Sequence, residues 1–133
     1  MLPMKFELPP ETVLRATVGF TDVRLIVRSG ADVSAHLEID HNGTSVFRTE
    51  RRLPKSAGML QQAGVIGPML STALQKVRER EATPDDMVLT IDVEVNDQGR
   101  IGKKTFNVPL NAMAMSNLFQ LFATVQAARS AAT

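Results

Sequence analysis

The sequence contains no cysteine, no tryptophan and no tyrosine among its 133 residues. The absence of cysteine excludes disulfide scaffolds, thiolate metal sites and cysteine nucleophiles. An excess of either charge is also missing, because 15 Lys+Arg balance 14 Asp+Glu. This balance excludes a histone-like polycation and an acidic tail protein. With 44% hydrophobic residues the composition is not that of a disordered chain, and the length predicts a single domain over residues 1–133.

A targeting signal is not readable at the N-terminus. Residues 1–7 show no basic segment followed by a long apolar core. We therefore expect a cytoplasmic protein, and a place within a viral particle is compatible with the same observation.

Alternation of apolar and polar residues predicts strands over most of the chain. The plainest case is the stretch 33–40, in which every second residue from Val33 to Ile39 is apolar. Asn42-Gly43 then predicts a tight hairpin turn, since both residues tolerate positive φ angles. The predicted strands cover residues 12–20, 23–28, 33–40, 45–52, 87–96 and 101–108.

Two regions lose this alternation and are predicted to be helical. The first runs from Lys55 to Glu81, and its glycines and Pro68 predict a break or kink at residues 64–67, with a second helical segment from Pro68 to about Arg80. The second runs from Asn111, a plausible N-cap, to Arg129. The order β-β-β-β-α-β-β-α predicts an α+β fold: a mostly antiparallel sheet of about six strands, with a kinked central helix and a C-terminal helix packed on one face.

Charge is absent from long parts of both helical regions. Residues 56–75 and 105–128 contain no Lys, Arg, Asp, Glu or His. A surface helix normally carries a charged stripe, whereas an uncharged helix is usually covered on more than one side. Polar residues interrupt both stretches, so we expect no transmembrane span. The sequence therefore predicts a protein partner: a non-enzymatic structural or interaction component that forms a homo-oligomer or docks on a larger assembly, such as a virion, a secretion apparatus or an assembly chaperone.

Two pairs of residues are the candidates for partner contact. Met115 and Phe119 fall off the predicted core face of the last helix, although isolated exposure of an apolar residue is also common. Val65 and Ile66 lie between two glycines that would let a neighbouring backbone approach. The alternative for this second pair is a helix corner packed into the core of the chain itself.

Catalysis and cofactor binding find little support. The only histidines are His36, on the outward side of a predicted strand, and His41, in a predicted turn, and neither has a ligand partner at helical spacing. No phosphate loop, dinucleotide fingerprint or nucleophile motif occurs. We therefore expect no enzyme activity, no metal and no cofactor.

Nucleic-acid binding is the alternative function. Basic residues cluster on the fourth predicted strand and near the tip of the late hairpin, and clusters that converge could neutralise several phosphates. Balanced net charge and the lack of Trp and Tyr for base stacking argue against it. The residues of this alternative are Arg48, Arg51, Arg52, Lys55, Arg100, Lys103 and Lys104.

Overall fold

A six-stranded antiparallel sheet forms the frame of the protein. The computed structural model describes residues 8–84, 86–109 and 115–132, except the side chains of residues 59 and 115–119. Four strands precede the first helix: β1 (Glu11–Val18), β2 (Thr21–Ser29), β3 (Asp32–His41) and β4 (Thr44–Pro54). The helix α1 (Met59–Arg80), strands β5 (Val88–Asp97) and β6 (Arg100–Pro109), and the helix α2 (Met115–Ser130) follow. The predicted α+β class and antiparallel sheet are confirmed.

The strand order in the sheet is β4-β3-β2-β1-β5-β6. The first four strands form a meander, and β5 pairs with β1, so the second hairpin extends the sheet beyond the first strand. Strands β4 and β6 are consequently the two edges. The predicted turn at Asn42-Gly43 is confirmed, because these residues have φ angles of 53° and 82°. Gln98 and Gly99, with φ angles of 56° and 87°, form the turn between β5 and β6.

The core lies between one face of the sheet and the two helices. Helix α1 packs on β2 and β3, and α2 packs on β5 and β6. The inward residues of the central strands, such as Leu14, Leu25, Leu37 and Val93, are in register with one another and are at most 6% exposed. The period of two seen in the sequence therefore marks the buried face correctly.

Helix α1 differs from the prediction in one respect. In place of two segments separated at residues 64–67, a single helix runs from Met59 to Arg80 with Pro68 inside it, so the predicted break is wrong. Buried residues lie on both sides of the proline, including Ile66 before it and Met69 and Leu70 after it. Packing of these side chains on the sheet offsets the helix hydrogen bond that proline cannot make. A kink at this point stays a prediction.

Helix α2 is described from Met115 onward. The predicted N-cap Asn111 lies outside the described residues. Leu121, Phe122 and Val125 are buried, as expected for the core face of this helix.

Candidate functional site

The surface of α1 that points away from the sheet carries no charge over four turns. Leu60 is the most exposed large apolar residue in the described chain, at 73%. Gln61, Ser71 and Gln75 are also exposed, and the first charged residue beyond them is Lys76. The buried positions of α1 recur at spacings of three and four, so one side of the helix faces the sheet. The residues on its opposite side are small or uncharged as far as Gln75.

Helix α2 repeats this property. Gln120, Ala123 and Ala127 are exposed, and the first charged residue of the helix is Arg129. We call the exposed, uncharged positions of both helices the outer helix surface; its described members are Leu60, Gln61, Gly64, Pro68, Ser71, Gln75, Gln120, Ala123, Ala127 and Ser130.

The predicted partner residues fall in different environments. Ile66 is 4% exposed and belongs to the core, so its side chain is not available to a partner in this structure. Val65 is half-buried and packs against the core. The side chains of Met115 and Phe119 lie outside the described residues, and their role stays a prediction. Sequence reasoning missed Leu60, because one apolar residue at a helix start gives no sign of which way it faces.

The face of the sheet opposite the helices, here called the open face, carries charged side chains of both signs. Its most connected residue is Glu38, which is in contact with cations from both neighbouring strands. Arg24 of β2 donates to Glu38 through Nε at 3.1 Å from Oε2 and also through Nη2, and Arg48 of β4 donates from Nη1 at 3.2 Å from Oε1. His36 Nε2 lies 2.9 Å from Oε1. The hydrogen bonds to Arg24, above all, and to His36, together with the positive charges of Arg24 and Arg48, lower the pKa of Glu38 to about 2.

The two predicted basic clusters lie at opposite edges of the sheet. Arg48, Arg51 and Arg52 belong to β4, whereas Lys103 and Lys104 belong to β6. Five inter-strand spacings separate these edges, which is about 24 Å. Arg48 is already paired with Glu38. The structure thus does not bring the clusters together, and a nucleic acid would have to cross the sheet to reach both.

A threonine, a histidine and a glutamate meet at the end of the sheet where α1 finishes. The Thr21 hydroxyl donates to Glu81 Oε1 at 3.0 Å and lies 2.9 Å from His41 Nδ1. The backbone N–H of Phe20 donates to the same carboxylate oxygen at 2.9 Å. Thr21 is fully buried, so its hydroxyl cannot reach a substrate. These hydrogen bonds connect the end of α1 to the β1–β2 turn and to β3.

Neither a metal-binding cluster nor a membrane-spanning helix occurs among the described residues. In that part of the chain, no group of three or more His, Asp or Glu side chains could hold a metal ion. Across the same residues, no helix is both long enough and apolar enough to span a membrane.

Comparison with known proteins gives no further assignment to the outer helix surface or to the sheet. The chain matches no family model, no curated protein and no solved structure.

Proposed function

We propose that this protein is a non-enzymatic structural or interaction component that assembles through its outer helix surface, with a second copy of itself or with a larger assembly. One observation carries the proposal. The exposed positions of both helices are uncharged from Leu60 to Gln75 and from Gln120 to Ala127, while the open face carries the charged side chains.

The chemistry of the outer helix surface supports this role. Exposed small residues such as Ser71, Ala123 and Ala127 allow a second helix layer to approach closely, and Leu60 supplies an apolar contact at the beginning of α1. Covering uncharged side chains removes less favourable hydration than covering the charged open face, which would require desolvating ion pairs. The helix side is therefore the less costly side to bury.

The mass of the protein in solution tests the proposal. Light scattering behind a sizing column, at low and high salt, should give a mass well above 14.5 kDa that does not change with salt. The double variant Leu60→Glu, Ala123→Glu should be monomeric and keep its fold, because both positions are exposed. The matched control is Val88→Glu, Thr105→Glu, which places the same charges at exposed positions of the open face and should leave the mass unchanged.

Two outcomes would contradict self-assembly. A monomeric wild type at both salt concentrations would exclude a homo-oligomer. If the control variant were also monomeric, added charge at any exposed position would be enough to dissociate the oligomer. The variant Met115→Glu, Phe119→Glu extends the same measurement to the predicted residues of α2.

Nucleic-acid binding stays the alternative prediction. Its test is the binding of an oligonucleotide. Affinity that falls steeply with salt, and loss of binding when Arg51, Arg52, Lys103 and Lys104 are neutralised, would favour nucleic-acid binding over assembly. The separation of these residues to opposite edges does not favour that outcome.

A further inference from the structure

A groove runs between the edge strand β4 and helix α1, with a volume of about 340 Å³. Strand β4 contributes Phe47, Thr49 and Arg51 to it, and α1 contributes Gly64, Val65 and Pro68 among others. The register with β3 explains the strand's part, because Phe47 and Arg51 stand opposite the buried residues Ile39 and Ala35 and so lie on the helix side of the sheet.

The groove is open along a free sheet edge. Strand β4 has 11 residues and, in the part of the chain that the structure describes, pairs with β3 alone. Every second residue of such an edge directs its backbone N–H and C=O away from the sheet, where an added strand can bond to them. The inward side chains of that strand would enter the groove.

Two cations, Arg51 and Lys76, lie beside the groove. Arg51 is exposed, and no carboxylate among the described residues pairs with it. Lys76 Nζ lies 5.3 Å from the centre of the Phe47 ring, one inward position beyond Thr49 and two beyond Arg51. This ammonium also lies 3.8 Å from Glu79 Oε2, so Arg51 is the main cation for a carboxylate of the added strand. The inward side chains of an added strand would therefore fit the groove in the order carboxylate, apolar, carboxylate. The first carboxylate would face Arg51 and the second would face Lys76. The apolar side chain would lie between them, against Thr49 and Val65.

A second copy of this chain is a poor occupant for the edge. Strand β6, the other free edge, carries Arg100, Lys103 and Lys104, and pairing either edge with itself or with the other would bring like charges together. The cations that oppose self-pairing select a strand of opposite charge.

We propose that the free edge of β4 binds an extended, acidic segment of another protein as a seventh strand, with a carboxylate of that segment paired to the guanidinium of Arg51. The backbone of β4 supplies the hydrogen bonds, and the groove against α1 supplies the side-chain selectivity. Gly64 and Pro68 border both the groove and the outer helix surface, so the two proposals are distinguished by their readouts, which are peptide affinity here and mass in solution there.

Peptide binding measured by fluorescence anisotropy tests the proposal. The probe is a fluorescein-labelled peptide of about ten residues with the repeat Glu-Glu-Val-Val, which presents alternating glutamate and valine on both faces of a strand. The wild type should bind it at least about tenfold more tightly than the matched Lys-Lys-Val-Val peptide. Arg51→Glu should weaken the acidic peptide by at least about tenfold, whereas Lys104→Glu, the same reversal at the other edge, should have little effect.

Two further reagents separate strand addition from simple charge attraction. An acidic peptide that is N-methylated at every residue has no backbone N–H donor for either edge of a strand and should lose binding. Gly64→Leu should also abolish binding while keeping the fold, because a Cβ at Gly64 meets no atom within 4 Å and the new side chain fills the groove. Equal binding of acidic and basic peptides, or full binding by Arg51→Glu or by the N-methylated peptide, would overturn the proposal, whatever the mass of the protein in solution.

Discussion

At the residue scale, Glu38 shows how a charged side chain is held in place on the open face. Its side chain is only 11% exposed, because Arg24, Arg48 and His36 surround it. Arg24 on β2 and Arg48 on β4 are the residues directly opposite Glu38 in the two neighbouring strands, and His36 lies two residues before it on β3. Cross-strand pairs of opposite charge stabilise a sheet modestly, and one shared carboxylate joins three strands here.

Removing the charge of Glu38 should destabilise the protein. We expect Glu38→Gln to lower the free energy of unfolding by about 1 kcal/mol, less than a fully buried charged hydrogen bond contributes, because solvent reaches both arginines. Urea denaturation measures this change. Glu50→Gln is the control. Glu50 is exposed and its single ion pair, with Arg52, is long at 4.0 Å, so this variant should change the free energy of unfolding by much less.

The same residue predicts a dependence on pH. The pKa of Glu38 is about 2 in the folded protein and 4.5 ordinarily, so the ionised form stabilises the fold. This contribution is complete above pH 4.5 and is lost as the pH falls toward 2. The stability difference between wild type and Glu38→Gln should therefore be constant near neutral pH and shrink across that range. A difference that persists unchanged at pH 2 would contradict the assigned pKa.

At the element scale, the packing of α2 on β6 depends on a glycine. A Cβ built on Gly102 would lie 1.8 Å from the carbonyl oxygen of Ala128. The end of α2 is also held by Arg129, whose Nε donates to Asp97 Oδ2 at 3.0 Å in the preceding hairpin. The backbone of the helix therefore rests directly on the strand at this point.

Gly102→Ala should displace α2 and lower the free energy of unfolding by about 3 kcal/mol, as overpacking in a close-packed interior does. Thermal unfolding followed by circular dichroism measures the effect. The control is Gly30→Ala, where a Cβ meets no atom within 4 Å and the stability should stay within about 0.5 kcal/mol of wild type. An unchanged melting temperature for Gly102→Ala would show that α2 does not lie where the structure places it.

Sequence patterns predicted the elements unevenly, and the physical reason differs between strands and helices. The strands were predictable because one of their faces is buried, so the alternation from Val33 to Ile39 is written in the sequence. The continuity of α1 through Pro68 was not, because local propensity favours a break there and only burial of Ile66, Met69 and Leu70 on the sheet overrides it.

At the scale of the whole molecule, charge is distributed by surface. The open face carries the ion pairs around Glu38, the outer helix surface carries no charge, and both sheet edges carry cations. Arg51 on β4 and Lys104 on β6 even lie on the helix side of their strands, opposite the buried residues Ala35 and Val93. Charged residues at such positions hinder edge-to-edge association of sheets.

Lys104→Val should therefore promote aggregation of the folded protein. Removing this cation leaves an edge strand with an additional β-branched residue and no inward charge from Gly102 to Val108. Turbidity and light scattering over hours at about 37 °C measure the outcome. Arg15→Val removes an exposed cation from β1, which has neighbours on both sides, and should leave the protein dispersed. Equal aggregation of both variants would point to net charge rather than to the edge.

The α+β class, the buried face of each strand, the tight Asn42-Gly43 turn and the uncharged stretches of the helices could be read from the sequence, because each of these follows from residues close together in the chain. Three further features come from tertiary packing: β5 pairs with β1, the basic clusters lie at opposite edges, and a groove lined by Arg51 opens beside α1. Strand order and edge position depend on which distant segments pack together, and a period of two reports the face of a strand without naming its neighbour.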